Sequence, residues 1–214
     1  DFAIDSLKHS PRIIPLGSIN PESDNVEAEL ERLKANGIKG IKIHPDYMGH
    51  DIDERIFDPV FDVCASLDMF VITHAGFDVC SPDHIHATPD MILRVINRHP
   101  GLKLIAAHNG GNFMYDEVLE KLCGKEVWID TSFAIKRPGD DDLIREVLLS
   151  HDSDKILFGS DTPWANPRAT ADFLEDLGLS SAFLDKIFEE CNMSNKSFKT
   201  NQESKNKKVP TKAQ

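Results

Sequence analysis

Three short segments combine residues that could hold a metal ion or move a proton. They are His74-Ala75-Gly76, His108-Asn109-Gly110-Gly111 and Ser160-Asp161-Thr162. Each sets one imidazole or carboxylate among small residues at the end of an apolar run. A lone histidine in such a place is ordinarily structural. The recurrence of the pattern is what points to chemistry. Burying such groups without partners costs several kcal/mol, and a divalent cation is a natural compensating partner. Neutral imidazole and carboxylate suit zinc or a similar ion. The separations of 34 and 53 residues exclude a local zinc finger and fit ligands gathered from different elements.

The elements that must position these groups follow a rhythm. Apolar runs at 12–19, 38–45, 69–76, 102–111, 127–133 and 155–163 begin 26, 31, 33, 25 and 28 residues apart. Each is apolar on both faces, as a parallel strand covered on both sides must be. Helical patterns fill the intervals: 22–36 ending at Gly37, 54–67, 90–98 capped by Thr88-Pro89, 115–122, 141–149 and 169–177. Strand–helix units at this pitch make a parallel α/β fold. A doubly wound sheet would often carry a glycine-rich phosphate turn after its first strand; neither GxGxxG nor GxxxxGK[ST] occurs. A (β/α)8 barrel needs about eight units, and about six are legible, so an incomplete TIM barrel is expected.

Five consecutive runs place polar groups at their C-terminal ends: Lys42 and His44, Thr73-His74, His108-Asn109, Asp130 and Ser132, and Ser160-Asp161. In parallel α/β proteins that end is where active sites form. Lys42 and His44 are two apart and share one strand face. They are expected to contact substrate or metal; a salt-bridged lysine beside a satisfied histidine is the alternative. Trp164 is expected to wall the pocket, packing on a neighbouring helix being the alternative.

The net charge of −12 argues against nucleic acid or an anionic membrane as main partner. The charge is uneven. From residue 192 six lysines face one glutamate, a surplus of five, which leaves −17 on residues 1–191. The expected division is therefore a barrel domain over 1–191 and a basic, disordered tail over 192–214. No apolar run is long enough to span a membrane. Cys64, Cys80, Cys123 and Cys191 form no CxxC pair, which suits free thiols in a reduced cytoplasmic protein.

The segments GIKGIKIHP, VITHAGFD, HATPDMILRVINRHPGLKLIAAHNGG and ILFGSDTPW resemble the amidohydrolase-related, metal-dependent hydrolases, barrel enzymes whose relatives include decarboxylases. The likeness covers roughly residues 10–190, and the spaced set is specific as an ensemble. The resemblance implies that His74 is a strand-5 metal ligand and that His108 binds metal or polarises the substrate carbonyl. It implies that Asp161 touches the metal and takes a proton from the attacking water. The implied cofactor is a divalent ion, zinc first, and the implied partner is a small-molecule substrate, with a homo-oligomer possible.

Two departures stand out. The family's first-strand His-x-His has no counterpart ahead of residue 12, so its first two strands are expected to be missing. The His-x-His that does occur, His84-Ile85-His86, sits in the loop after the third run, where His86 is expected to cover substrate. The family's usual stretch after the last helix is replaced by the lysine-rich tail. The expected function is hydrolysis of a C–N or C–O bond in a small polar substrate. The alternatives are non-oxidative decarboxylation at the same site, or a barrel remnant without catalysis.

Overall fold

The computed structural model describes residues 1–132 and 137–189. The expected tail over 192–214 and Cys191 lie outside the described residues. Among these, one parallel sheet carries five strands in chain order: β1 (Gly40–Ile43), β2 (Phe70–Thr73), β3 (Lys103–Ala106), β4 (Trp128–Asp130) and β5 (Ile156–Leu157). Every neighbouring pair is parallel. A doubly wound sheet reverses its strand order at a switch point. Here the order never reverses, which is how a (β/α) barrel progresses around its axis. The expected first strand, 12–19, contributes a single parallel bridge from Gly17 to Ile41. It is held by Gly17 N–H to the Gly40 carbonyl at 3.0 Å and Lys42 N–H to the Gly17 carbonyl at 2.9 Å. Its position beside β1 continues the same progression. The fold is α/β, the arc of a TIM barrel.

Helices cover the outer face. They are α1 (Phe2–Ser6), α2 (Val26–Ala35), α3 (Pro45–Met48), α4 (Asp58–Ser66), α5 (Pro89–Arg98), α6 (Tyr115–Lys121), α7 (Asp140–Ser150), α8 (Pro167–Asp176) and α9 (Ser181–Glu189). Local chemistry sets several boundaries. Thr88 accepts the Met91 N–H at 3.2 Å and Pro89 occupies the first turn of α5, as the Thr-Pro pair predicts. Gly37 takes the left-handed conformation (φ 88°) that ends α2. The start of α8 is set by Asn166, which accepts the Arg168 N–H at 2.8 Å, two residues earlier than the apolar pattern suggests.

Strand alternation divides the core. Ile41, Ile43, Val71, Leu104, Ala106, Ile129 and Ile156 face the helices and merge with Leu30, Phe57, Phe61, Ile92, Val118, Ile144 and Leu174. Phe70, Ile105, Trp128 and Leu157 form a second cluster, with Leu16 and Ile72 packed against it. These are the alternate strand residues, so they occupy the concave side of the arc. Lys42 shares their parity, between Gly40 and the strand end, and pairs in register with Ile72. On the outside, His99 joins α5 to α4 through both ring nitrogens, at 2.7 Å from Asp62 and 3.0 Å from Asp58. That histidine is a structural clamp.

Candidate active site at the strand ends

The C-terminal ends of β1, β2 and β3 each release a histidine. His44 follows β1, His74 follows β2, and His108 stands two residues beyond β3. The rings form a column: His44 and His74 stack with centroids 4.4 Å apart, and His74 and His108 tilt together at 4.8 Å. The exposed Tyr47 ring covers the far face of His44 at 3.8 Å.

Backbone geometry explains why these side chains meet. Gly76 has φ 84°, and a Cβ there would lie 2.1 Å from the Asn112 nitrogen. Only glycine lets the loop after β2 run against the loop after β3. Asn112 N–H donates to the Ala75 carbonyl at 2.8 Å and Phe77 N–H to the Asn112 carbonyl at 2.9 Å. On the β3 side, His108 and Asn109 both take left-handed backbone (φ 59° and 56°). The strand alternation stops there and the His108 ring turns toward His74.

The hydrogen bonds fix the tautomers. His108 Nδ1 lies 3.2 Å from the Ser132 carbonyl and 3.1 Å from its hydroxyl. The carbonyl can only accept, so Nδ1 carries the proton. Ser132 Oγ donates to Asp130 Oδ1 at 2.5 Å, and the same oxygen accepts the His108 N–H at 3.0 Å. His108 Nε2, then unprotonated, accepts from His74 Nδ1 at 3.1 Å. This leaves His74 Nε2 as a bare lone pair, buried and without a hydrogen-bond partner.

His44 Nδ1 and both Asp46 carboxylate oxygens are likewise buried without a hydrogen-bond partner, Nδ1 standing 3.6 Å from Asp46 Oδ2. One ligand atom from each of His44, Asp46 and His74 falls within 4.8 Å of the others. The Asp78 carboxylate adds a further oxygen, 3.4 Å from His44 Nε2 and 3.9 Å from His74 Nε2. Burial pushes the His74 imidazole down to about 2, helped by His108, His44 and Lys42. Burial likewise holds His44 at about 4 and raises the Asp46 carboxyl. Neutral imidazoles beside a buried carboxylate that no side chain hydrogen-bonds are the donor set a divalent cation takes. The residues fit such an ion.

The remaining expected residues surround this column. Burial lowers the Lys42 ammonium, while the charges of Asp130 and Asp161, at the end of β4 and beyond β5, oppose the shift. Asp161 is half-buried, in left-handed backbone (φ 60°), and its carbonyl accepts from Trp164 N–H at 2.8 Å. It stands outside the close group formed by His44, Asp46 and His74. Trp164 is 76% exposed and lines no enclosed wall. His86 is turned to Asp51, with Nδ1 2.9 Å from Oδ1. The residues that sequence reasoning passed over are Asp46 and Asp78. Their spacing, two after His44 and four after His74, was the available signal. Asp130 and Ser132 were visible as strand-end polar groups, but their grip on His108 was not.

The family model described as Amidohydrolase, of the amidohydrolase-2 type, matches residues 1–190. No curated protein sequence matches the chain. Similar solved structures are TIM-barrel proteins and enzymes. A TIM-barrel protein of Bordetella bronchiseptica superposes with a TM-score of 0.72 at 20% identity, over 89% of this chain and 69% of its own. A putative 2-pyrone-4,6-dicarboxylic acid hydrolase from Pseudomonas putida gives 0.64 at 15%, over 87% and 72%. The 5-carboxyvanillate decarboxylase of Sphingomonas paucimobilis gives 0.64 at 14%, over 87% and 68%. At these identities the structures speak for the fold. The family match spans nearly the whole described chain, and the chain belongs to the amidohydrolase-2 family.

Proposed function

We propose that this chain hydrolyses a C–N or C–O bond of a small polar substrate with the help of a divalent cation, zinc being the first candidate. The observation that carries the reading is the buried lone pair of His74 Nε2, set beside His44 Nδ1 and the partnerless Asp46 carboxylate. His74 would hold the ion, with His44 and Asp46 adjoining and His108 and Asp161 facing it from the next strands. A bound divalent ion lowers the pKa of a coordinated water toward neutrality and polarises a carbonyl.

The chain's own groups do the rest. Ser132 and Asp130 keep the proton of His108 on Nδ1, so its Nε2 accepts the His74 Nδ1 proton and keeps the other nitrogen of His74 open for the ion. Asp161 accepts the proton of the attacking water and returns it to the leaving group. The Lys42 amine orients a substrate carboxylate, His44 and Trp164 border the entrance, and His86 belongs to the loop that covers it. The Asp161→Asn variant tests this: kcat on the substrate found by an amide, ester and lactone screen should fall by about 10²–10⁴-fold. An unchanged kcat would remove Asp161 from the proton path.

A second reading keeps the site and changes the bond. The buried Lys42 ammonium favours a carboxylate substrate, and a carboxylate so held could leave as CO₂ while the carbon it leaves takes up a proton. Several fold neighbours are named as decarboxylases, two of them with bound manganese. Carbon dioxide release without net water consumption would select this reading. Cys64, Cys80 and Cys123 are free, and no helix among the described residues could cross a membrane; on the thiols we place the reaction in the cytoplasm. The incomplete arc favours self-association, and the acidic chain favours a small molecule over nucleic acid as partner.

A further inference from the structure

Beyond the histidine column, a second group of metal-ligating side chains joins two loops. Asp51 lies in the loop after α3, and His84 and His86 lie in the loop between β2 and α5. His84 Nε2 is 2.6 Å and His86 Nδ1 2.9 Å from the same Asp51 oxygen, Oδ1. The two imidazoles meet edge to face, centroids 4.4 Å apart. One ligand atom from each of the three residues lies within 4.8 Å of the others. We propose that Asp51, His84 and His86 form a second cation site, specific for a late divalent transition ion such as zinc, that staples these two loops together over the strand ends.

The donor set decides the class of ion. Two imidazoles and one carboxylate suit zinc, cobalt or nickel, whereas calcium and magnesium prefer all-oxygen shells. Donors about 2.0–2.1 Å from a tetrahedral zinc stand roughly 3.3 Å from one another, so the observed spacing needs only a slight opening. The backbone already ties the loops, through Ile52 N–H to the His86 carbonyl at 2.8 Å. Entry is open, since the His84 side chain is 55% exposed. Histidine in a His-x-His pair of an extended loop is also spaced to converge on one point, as here both rings reach a single carboxylate oxygen.

The site has a consequence for its neighbours. The loop that carries His84 and His86 also carries Asp78, which reaches His44 and His74. The imidazoles of His84 and His86 lie close enough to Asp46 to act on its charge. A cation at Asp51 would hold Asp78 and Asp46 in place on the column.

Equilibrium dialysis of the full chain against cobalt(II) and zinc, followed by elemental analysis, tests the proposal. The parent should bind two equivalents and His84→Ala one; His86→Ala and Asp51→Asn should behave alike. His74→Ala should keep the equivalent that His84→Ala loses, so the two sites are read independently. The cobalt at this site should show no sulfur-to-metal charge-transfer band, which excludes the nearby Cys80. Because His84 is exposed, His84→Ala leaves the fold intact and serves if His86→Ala does not fold. Equal stoichiometry in the parent and His84→Ala overturns the proposal, as does a parent whose only bound ion is lost with His74→Ala.

Discussion

The His74 imidazole derives its character from a proton count along a chain of three residues. The Ser132 carbonyl takes the His108 Nδ1 proton, His108 Nε2 takes the His74 Nδ1 proton, and His74 Nε2 is left open. Breaking the first link should disturb the last. Ser132→Ala removes the hydroxyl that bonds Asp130 and faces His108, leaving the carbonyl as the remaining partner of Nδ1. Loss of such a supporting group costs about 10–100-fold in metal affinity or activity. Titration of the Ser132→Ala variant with zinc measures it, and an affinity equal to the parent's would deny Ser132 a positioning role. His74, His108 and Asp161 were legible because each ends an apolar run with small residues beside it. Asp46 and Asp78 were not, because a carboxylate in a loop is the commonest solvated residue. Only the fold shows that the Asp46 side chain is fully buried and aimed at His44.

At the scale of elements, the pattern of apolar runs located all five strands and six of the helices, including the Thr88-Pro89 start of α5. The runs overstate strand length. The run 102–111 yields a strand of four residues and 155–163 one of two. After β3 the chain turns left-handed at His108, and after β5 it runs on outside the ladder before the left-handed turn at Asp161; apolar composition registers neither change. The run 12–19 forms one bridge, since Pro15 has no N–H to add to a ladder. The most constrained junction is Gly76. Gly76→Ala would place a methyl group in the Asn112 backbone in a left-handed conformation. Strain and overpacking together should cost about 2–4 kcal/mol. A drop in Tm of roughly 5–15 °C follows for a chain of this size. Calorimetry on this variant checks it, and an unchanged Tm would mean that the loops after β2 and β3 are not locked as described.

For the whole molecule, buried neutral histidines set the acid limit of stability. His151 donates from Nε2 to the Val127 carbonyl at 2.9 Å and accepts the Gly124 N–H at Nδ1, 3.3 Å away. Burial pushes its imidazole below the ordinary value of 6.5. The unfolded chain therefore takes up a proton first as pH falls. The stabilising contribution is complete above about pH 6.5 and declines below it, toward the depressed folded value. His44 and His74 act in the same direction in the metal-free protein. The metal-free Tm should fall steadily from about pH 7 to about pH 5, and His151→Gln should flatten part of that slope. A Tm constant across this interval would show that these imidazoles titrate in the fold as they do in the unfolded chain.

On the proposed function, the histidine column holds a divalent ion through His74. Elemental analysis of the purified, zinc-equilibrated chain and of His74→Ala tests it most directly. One bound equivalent fewer is expected in the variant, with its far-ultraviolet circular dichroism unchanged. Equal metal content in the two proteins would contradict it and would leave the column a buried hydrogen-bond network without a cation.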